Sequence, residues 1–194
     1  MRKWYSVFAM ILFMLTACGR AEKDDPQAKA RAEANKAVME QMAHPKPAYR
    51  DGLFDMKLNV ERTTVKRGEA IHASATFAYI GGEPKITVYG ARSFLGFVIH
   101  DGHNFAMDGA STTERAPTEL VQGKPLVQPF FKSGGYSSDA PDANYWRGFY
   151  AEKELILPPG KYVLAASVSF DLHEDIADRS SYTGSVYRTI TVEE

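Results

Sequence analysis

His100 and His103 flank the dipeptide Asp101-Gly102, a spacing that puts two imidazoles near one another in sequence and within reach of a shared metal ion. A tight turn between them splays the rings, and no third ligand stands at metal-binding spacing, so exposed turn residues are the competing reading. Asp171, His173, Glu174, Asp175 and Asp178 gather the oxygens that calcium takes, without the spaced pattern of a calcium-binding loop. Asp139, Asp142 and Asn144 form a smaller group of the same kind. For both, a solvated loop is the alternative. No Gly-x-Ser-x-Gly elbow, His-Glu-x-x-His helix or phosphate-cradling loop occurs. These patterns predict no catalytic residue, no metal site and no cofactor, and the chain is expected not to be an enzyme.

Aromatic residues make the stronger cluster. Pro129 to Tyr150 holds Phe130, Phe131, Tyr136, Tyr145, Trp146, Phe149 and Tyr150 among Gly and Ser, with Arg147 beside the tryptophan. Rings on a Gly- and Ser-rich loop give large contact area with few rotors to freeze. Trp, Tyr and Arg are also the types that dominate binding energy at interfaces. Phe130, Phe131, Tyr136, Tyr145, Trp146, Arg147 and Tyr150 are therefore the candidate contact residues. The alternative is that the rings cap the open end of a β-sandwich.

The chain must bring these residues to a compartment, and its first residues bear on which. Met1-Arg2-Lys3 is basic, and Trp4 to Leu15 is almost wholly apolar. That is the pattern of a secretory signal, and its run of about a dozen residues is too short to span a bilayer, which takes about 20. Thr16 and Ala17 are small, and the only cysteine of the chain, Cys18, follows them. Leu15-Thr16-Ala17-Cys18 resembles the lipobox of bacterial lipoproteins. The resemblance implies a signal peptide over 1–17, cleavage before Cys18, diacylglycerol on its thiol and often an acyl chain on the new amino end. One acyl chain holds a membrane only marginally, so several on one residue suit a durable anchor.

Loss of residues 1–17 removes Arg2 and Lys3 from the 23 basic residues and leaves 21 against 24 acidic ones. That near-neutral balance gives nucleic acid nothing to bind. With Cys18 lipidated, no thiol remains for a disulfide, so a domain in an oxidising space relies on its own core. Residues 18–50 read as a polar tether. Asp25-Pro26 starts a helix, Gln27 to Ala43 is rich in helix formers, and His44-Pro45-Lys46-Pro47 stops it. Ala30, Ala34, Val38 and Met42 make a thin apolar stripe along it. A spacer that frays is one reading; a helix docked on the domain is the other.

Residues 51–194 are long enough for one domain with a sizeable core. Phe54, Met56, Leu58 and Val60 alternate with Asp55, Lys57 and Asn59, the pattern of a half-buried strand. Ile71 to Tyr79, Lys85 to Tyr89 and Phe94 to His100 read as further strands, with Val65 to Glu69 as a turn. Asp101-Gly102 marks a hairpin that returns through His103 to Met107. Periodicity is lost from Asp108 to Asn144, apart from apolar pieces at Leu120-Val121 and Leu126-Val127. Tyr145 to Leu157 regains strand character, and Tyr162 to Leu172 and Ser185 to Glu193 close the series.

Seven or eight strands without a convincing helix predict an all-β antiparallel sandwich. Leu157-Pro158-Pro159-Gly160-Lys161-Tyr162 resembles the corner of immunoglobulin-like and fibronectin-III-like sandwiches, where a Tyr hydroxyl bonds the backbone a few residues upstream. That resemblance gives Pro159, Gly160 and Tyr162 a structural role. Residues 53 to 172 also resemble the bacterial intracellular proteinase inhibitor family. The residues that carry this are Lys66-Arg67-Gly68-Glu69, Tyr89-Gly90-Ala91-Arg92-Ser93-Phe94, Val98-Ile99-His100-Asp101-Gly102 and Leu157 to Tyr162. The expectation is a membrane-anchored lipoprotein facing the outside or the periplasm. Its sandwich would bind a protein or a cell-envelope polymer without catalysis. The alternatives are a proteinase inhibitor, implied by the family resemblance, and a cation-dependent module or enzyme.

Overall fold

The computed structural model describes residues 26–175, 177 and 180–194. The expected signal peptide, Cys18, the capping Asp25 and Asp178 lie outside the described residues.

Two β-sheets share one hydrophobic core. The smaller sheet runs β1 (Ala48–Arg50), β2 (Phe54–Val60), β4 (Ala73–Tyr79) and β9 (Leu126–Pro129). The larger runs β3 (Thr64–Lys66), β11 (Ser181–Glu193), β10 (Gly160–Asp171), β5 (Lys85–Gly90) and β8 (Ala116–Val121). A hairpin of β6 (Leu95–His100) and β7 (Ala106–Met107) joins this sheet through β6, which also pairs with β10.

Period-two patterning places the core. Phe54, Met56 and Leu58 of β2 stand opposite Tyr79, Phe77 and Ala75 of β4, and all six are buried. On the facing layer Tyr162, Leu164, Ala166, Val168 and Phe170 line the inner side of β10, which pairs with β11 from Gly160↔Val192 to Asp171↔Ser181. Aromatic rings concentrate at both ends of the sandwich. Phe54, Phe77, Phe94 and Phe170 meet at one end, with centroids 5.0–5.8 Å apart for the contacting pairs. Phe105 sits over Tyr162 at the other, 5.4 Å away.

The corner at Pro158 has the expected bond. The Tyr162 hydroxyl donates to the Pro158 carbonyl at 2.9 Å. A Cβ on Gly160 would stand 3.2 Å from that hydroxyl, so glycine leaves the ring its seat. Burial pushes the phenol of Tyr162 up to about 12, with Tyr145 and Asp101 adding to the effect.

Several sequence expectations are corrected. Tyr145 to Leu157 is not a strand: Ala143–Ala151 forms α2. Ala143, Trp146 and Phe149 bury one side of it, and that spacing of about three residues is helical. The stretch from Asp108 to Asn144, where periodicity is lost, supplies β8 to one sheet and β9 to the other, each at one of its apolar pieces. Both are edge strands, β8 buries only Leu120, and each carries a proline that an edge tolerates. With so little inner face they show no hydrophobic alternation. Val65 and Lys66 lie in β3, whose pairing with β11 is parallel, so the sandwich is not wholly antiparallel. The hairpin loop after His100 runs over five residues, since His100 pairs with Ala106.

Before the sandwich, α1 spans Pro26–Ala43. Asn35, Val38, Gln41 and Met42 are half-covered, whereas Ala30 and Ala34 of the expected stripe stay exposed. The C-terminal half of α1 lies on the outer side of the larger sheet. The Asn35 amide donates to the His103 carbonyl at 3.3 Å, and the Thr189 hydroxyl donates to the Met42 carbonyl at 2.8 Å. Lys46 then bridges to Tyr187, and β1 pairs with β2 ahead of residue 51.

Candidate functional site

The aromatic stretch divides in two. Phe130 and Phe131 turn inward on Phe97, at centroid distances of 5.2 and 5.7 Å. Trp146 and Phe149, carried on the inner side of α2, close over Phe105 at 5.0 and 5.7 Å. The Trp146 indole donates to Asp142 Oδ2 at 2.8 Å, which gives that carboxylate a structural partner. Tyr150 is half-buried and stacks on Tyr136 at 6.0 Å. Tyr136 and Tyr145 keep 38% and 42% of their surface, and Arg147 is exposed beside Asn144, so the solvent-facing part of the cluster is small.

Lys132 fixes this cap. Its ammonium donates to the carbonyls of Phe149, Glu152 and Glu154 at 2.6–2.7 Å and lies 4.4 Å from the Phe149 ring. A cation there complements the carbonyl end of α2. Burial lowers the Lys132 pKa, against the opposing pull of Glu152 and Glu154.

The titratable clusters do not converge. His100 Nε2 lies 3.2 Å from Asp108 Oδ1, while the backbone N–H of His103 donates to Asp101. Asp175 accepts from the Ala177 N–H, and the backbone N–H of His173 donates to Ser180 Oγ. Asp139 stays with Ser137 and Ser138 in a local turn. Among the described residues no three His, Cys, Asp or Glu side chains come together around a common point.

The larger sheet forks, and a cleft opens at the fork. β10 pairs with β6 from Val163 to Val168, but with β5 only at Asp171↔Tyr89. Where β5 and β6 separate, a cleft of about 510 Å³ opens, lined along β6 by Gly96 and Val98 and along β10 by Ser167 and Ser169. The segment from Asp108 to Arg115 walls one side. It presses close to β6 at Gly109, where a Cβ would stand 2.9 Å from the Phe97 carbonyl; its φ of +77° also favours glycine.

Arg115 anchors one end of the cleft. Its Nη2 lies 3.2 Å from Asp171 Oδ2 and donates to the His173 carbonyl. Ser181 Oγ donates to the other Asp171 oxygen at 2.7 Å. Nε and Nη1 of Arg115 are buried without a hydrogen-bond partner among the described residues. The guanidinium carbon stands 5.8 Å from the Tyr89 ring, which also borders the cleft. Arg115 lies in a Gly-, Ser- and Thr-rich stretch without periodicity, so no pattern in the sequence marks it.

No protein-family model matches the chain. No curated protein matches it. Among solved structures, the crystal structure of Spo0M, the sporulation control protein from Bacillus subtilis, is similar over 74% of this chain and 51% of that one, at 15% identity and a TM-score of 0.37. The chain thus spans about half the length of that protein.

Proposed function

We propose that this chain is a membrane-anchored lipoprotein whose immunoglobulin-like β-sandwich is a non-enzymatic binding module facing the outside or the periplasm. Residues 1–17 are its signal, Cys18 carries the lipid, and the cleft at the fork of the larger sheet is its binding surface. The Tyr162–Pro158 hydrogen bond supports the immunoglobulin-like type.

One observation carries the reading. The exposed N-terminal half of α1 leaves the domain past His103, at the Val163 end of β10, whereas Arg115 and Asp171 mark the opposite end. Val163 and Asp171 sit about 26 Å apart along the strand at the usual rise. On this reading a lipid ahead of α1 would bring the helix end of the sandwich towards the bilayer and leave the Arg115 end facing away from it. Mass spectrometry of protein from the native host tests the anchor. A mature chain starting at Cys18 with a diacylglyceryl thioether is expected. A free thiol, or another starting residue, overturns the reading.

A further inference from the structure

We propose that the cleft between β6, β10 and the Asp108–Arg115 wall binds a neutral oligosaccharide. The proposal rests on the binding-module reading and names its ligand class. Four features select that class. The first is size: about 510 Å³ lies within the range of small-ligand sites, about 300–1,000 Å³.

The second is charge. Among the described lining residues, the carboxylates of Asp108, Glu114 and Asp171 outnumber the one guanidinium, Arg115. A polyanion meets repulsion there. The third is apolar surface. Among the described residues, the large hydrophobic side chains that stand exposed are Met39, Val121, Leu126, Val127, Tyr136 and Tyr145, and none of them lines the cleft. Phe94, Phe97 and Phe170 of the lining are buried, and only Tyr89 and Val98 among its large apolar residues are half-open, little for a peptide or lipid that docks through apolar anchors.

The fourth is hydrogen-bonding capacity. The hydroxyls of Ser111, Thr113, Ser167 and Ser169 line the cleft and have no side-chain partner among the described residues. Each is a donor and an acceptor whose hydrogen rotates to suit its neighbour, the same chemistry as a sugar hydroxyl. Arg115, held by Asp171 and the His173 carbonyl, closes one end of this row of hydroxyls beside the Tyr89 ring.

Gly96 gives a clean test. A Cβ placed there meets nothing within 4 Å among the described residues, and its φ lies outside the left-handed region. Gly96→Trp therefore fills the cleft without crowding the core, and an unchanged thermal midpoint shows that it folds. The full chain in detergent micelles, labelled with ¹⁵N, is titrated with maltotetraose, an N-acetylglucosamine tetramer and a tetragalacturonate. Saturable amide shifts at Gly96, Ser167 and Ser169 are expected with a neutral tetramer, and Gly96→Trp weakens that binding by at least about tenfold. Ser167→Ala/Ser169→Ala, which keeps the cleft open, weakens it as well. Which neutral tetramer binds identifies the source, glucan or amino-sugar polymer. Shifts with the galacturonate alone, with none of the three, or unaffected by Gly96→Trp overturn the proposal. A protein partner lost on Gly96→Trp, with no sugar shift, overturns the saccharide and keeps the binding module. Sugar binding by a chain whose Cys18 is unmodified keeps the saccharide and overturns the anchor.

Discussion

The hydroxyl of Tyr182 donates to Asp51 Oδ2 at 2.6 Å, joining two residues 131 apart in the sequence and belonging to opposite layers. Asp51 lies between β1 and β2 of the smaller sheet, and Tyr182 is the second residue of β11 in the larger one. The same carboxylate accepts from the N–H groups of Leu53 and Phe54 at 2.7 Å and from the Tyr49 hydroxyl at 3.1 Å. Burial works against the charged form of Asp51, but the Tyr182 bond and the three others outweigh it and lower the pKa. Burial and the Asp51 charge together push the Tyr182 phenol well up.

A carboxyl group lowered in the folded state adds stability above its unfolded value, about 3.9, and loses it as pH falls through the folded value. Urea midpoints measured from pH 7 to pH 2 therefore fall more steeply for the parent than for Asp51→Asn. Tyr182→Phe removes one bond to a charged acceptor and costs about 1.5–3 kcal/mol at pH 7. Identical pH slopes for parent and Asp51→Asn would show that the carboxylate does not join the layers.

Lys132→Met removes the single donor to the carbonyls of Phe149, Glu152 and Glu154 while keeping most of the side-chain volume. Those carbonyls end α2 and the turn after it. The expected loss is about 2 kcal/mol in a urea melt, because three carbonyls lose a charged donor. Proteolysis then cuts between residues 149 and 155 before any other site. An unchanged melt would mean that water replaces the ammonium at no cost.

The aromatic cap separates into residues that hold the fold and residues that meet solvent. Trp146→Ala opens a cavity next to Phe105, Phe149 and Tyr150 and strands Asp142, so a loss of about 3–5 kcal/mol is expected. Tyr136→Ala, at an exposed ring stacked on one neighbour, costs under about 1 kcal/mol. Chemical denaturation of the two variants checks the contrast. A partner whose capture survives Trp146→Phe but fails with Tyr136→Ala would return the exposed rings to the role of a contact surface.

What the sequence revealed follows from how its elements bury themselves. Phe54, Met56 and Leu58 alternate because one side of β2 faces the core and the other faces water, so the strand is legible at a glance. The Pro-Gly-x-Tyr corner is legible because one hydroxyl and one carbonyl need that spacing. α2 is hidden because its nine residues hold four aromatics and a glycine, types that favour strands or loops, and only the 143, 146 and 149 spacing gives it away. β8 and β9 are hidden because edge strands with little inner face lack alternation. The cleft is hidden more completely. Gly96, Arg115 and Ser167 come together only through the fork where β10 exchanges β6 for β5, and no local pattern encodes that exchange.

The seat of α1 on the sandwich is shallow, and that sets how readily the helix comes away from the domain. No residue of the helix is buried. Val38 and Met39 rest over Gly102, where a Cβ would meet the Met39 sulfur at 2.9 Å, and the bonds from Asn35 and Thr189 add two polar ties. So little buried apolar area places α1 at the low-stability end of the molecule, opening far more readily than the paired strands β10 and β11. Thr189→Val keeps the shape of the side chain and removes the donor to the Met42 carbonyl. Amide hydrogen exchange is expected to show residues 35–43 losing protection in that variant while Tyr162 to Phe170 keep theirs. Gly102→Ala, strained at a φ of +74° and pressed against Met39, lifts the helix further and also loosens the 101–105 loop. Loss of protection in β10 to the same extent as in α1 would mean that helix and sandwich unfold as one unit.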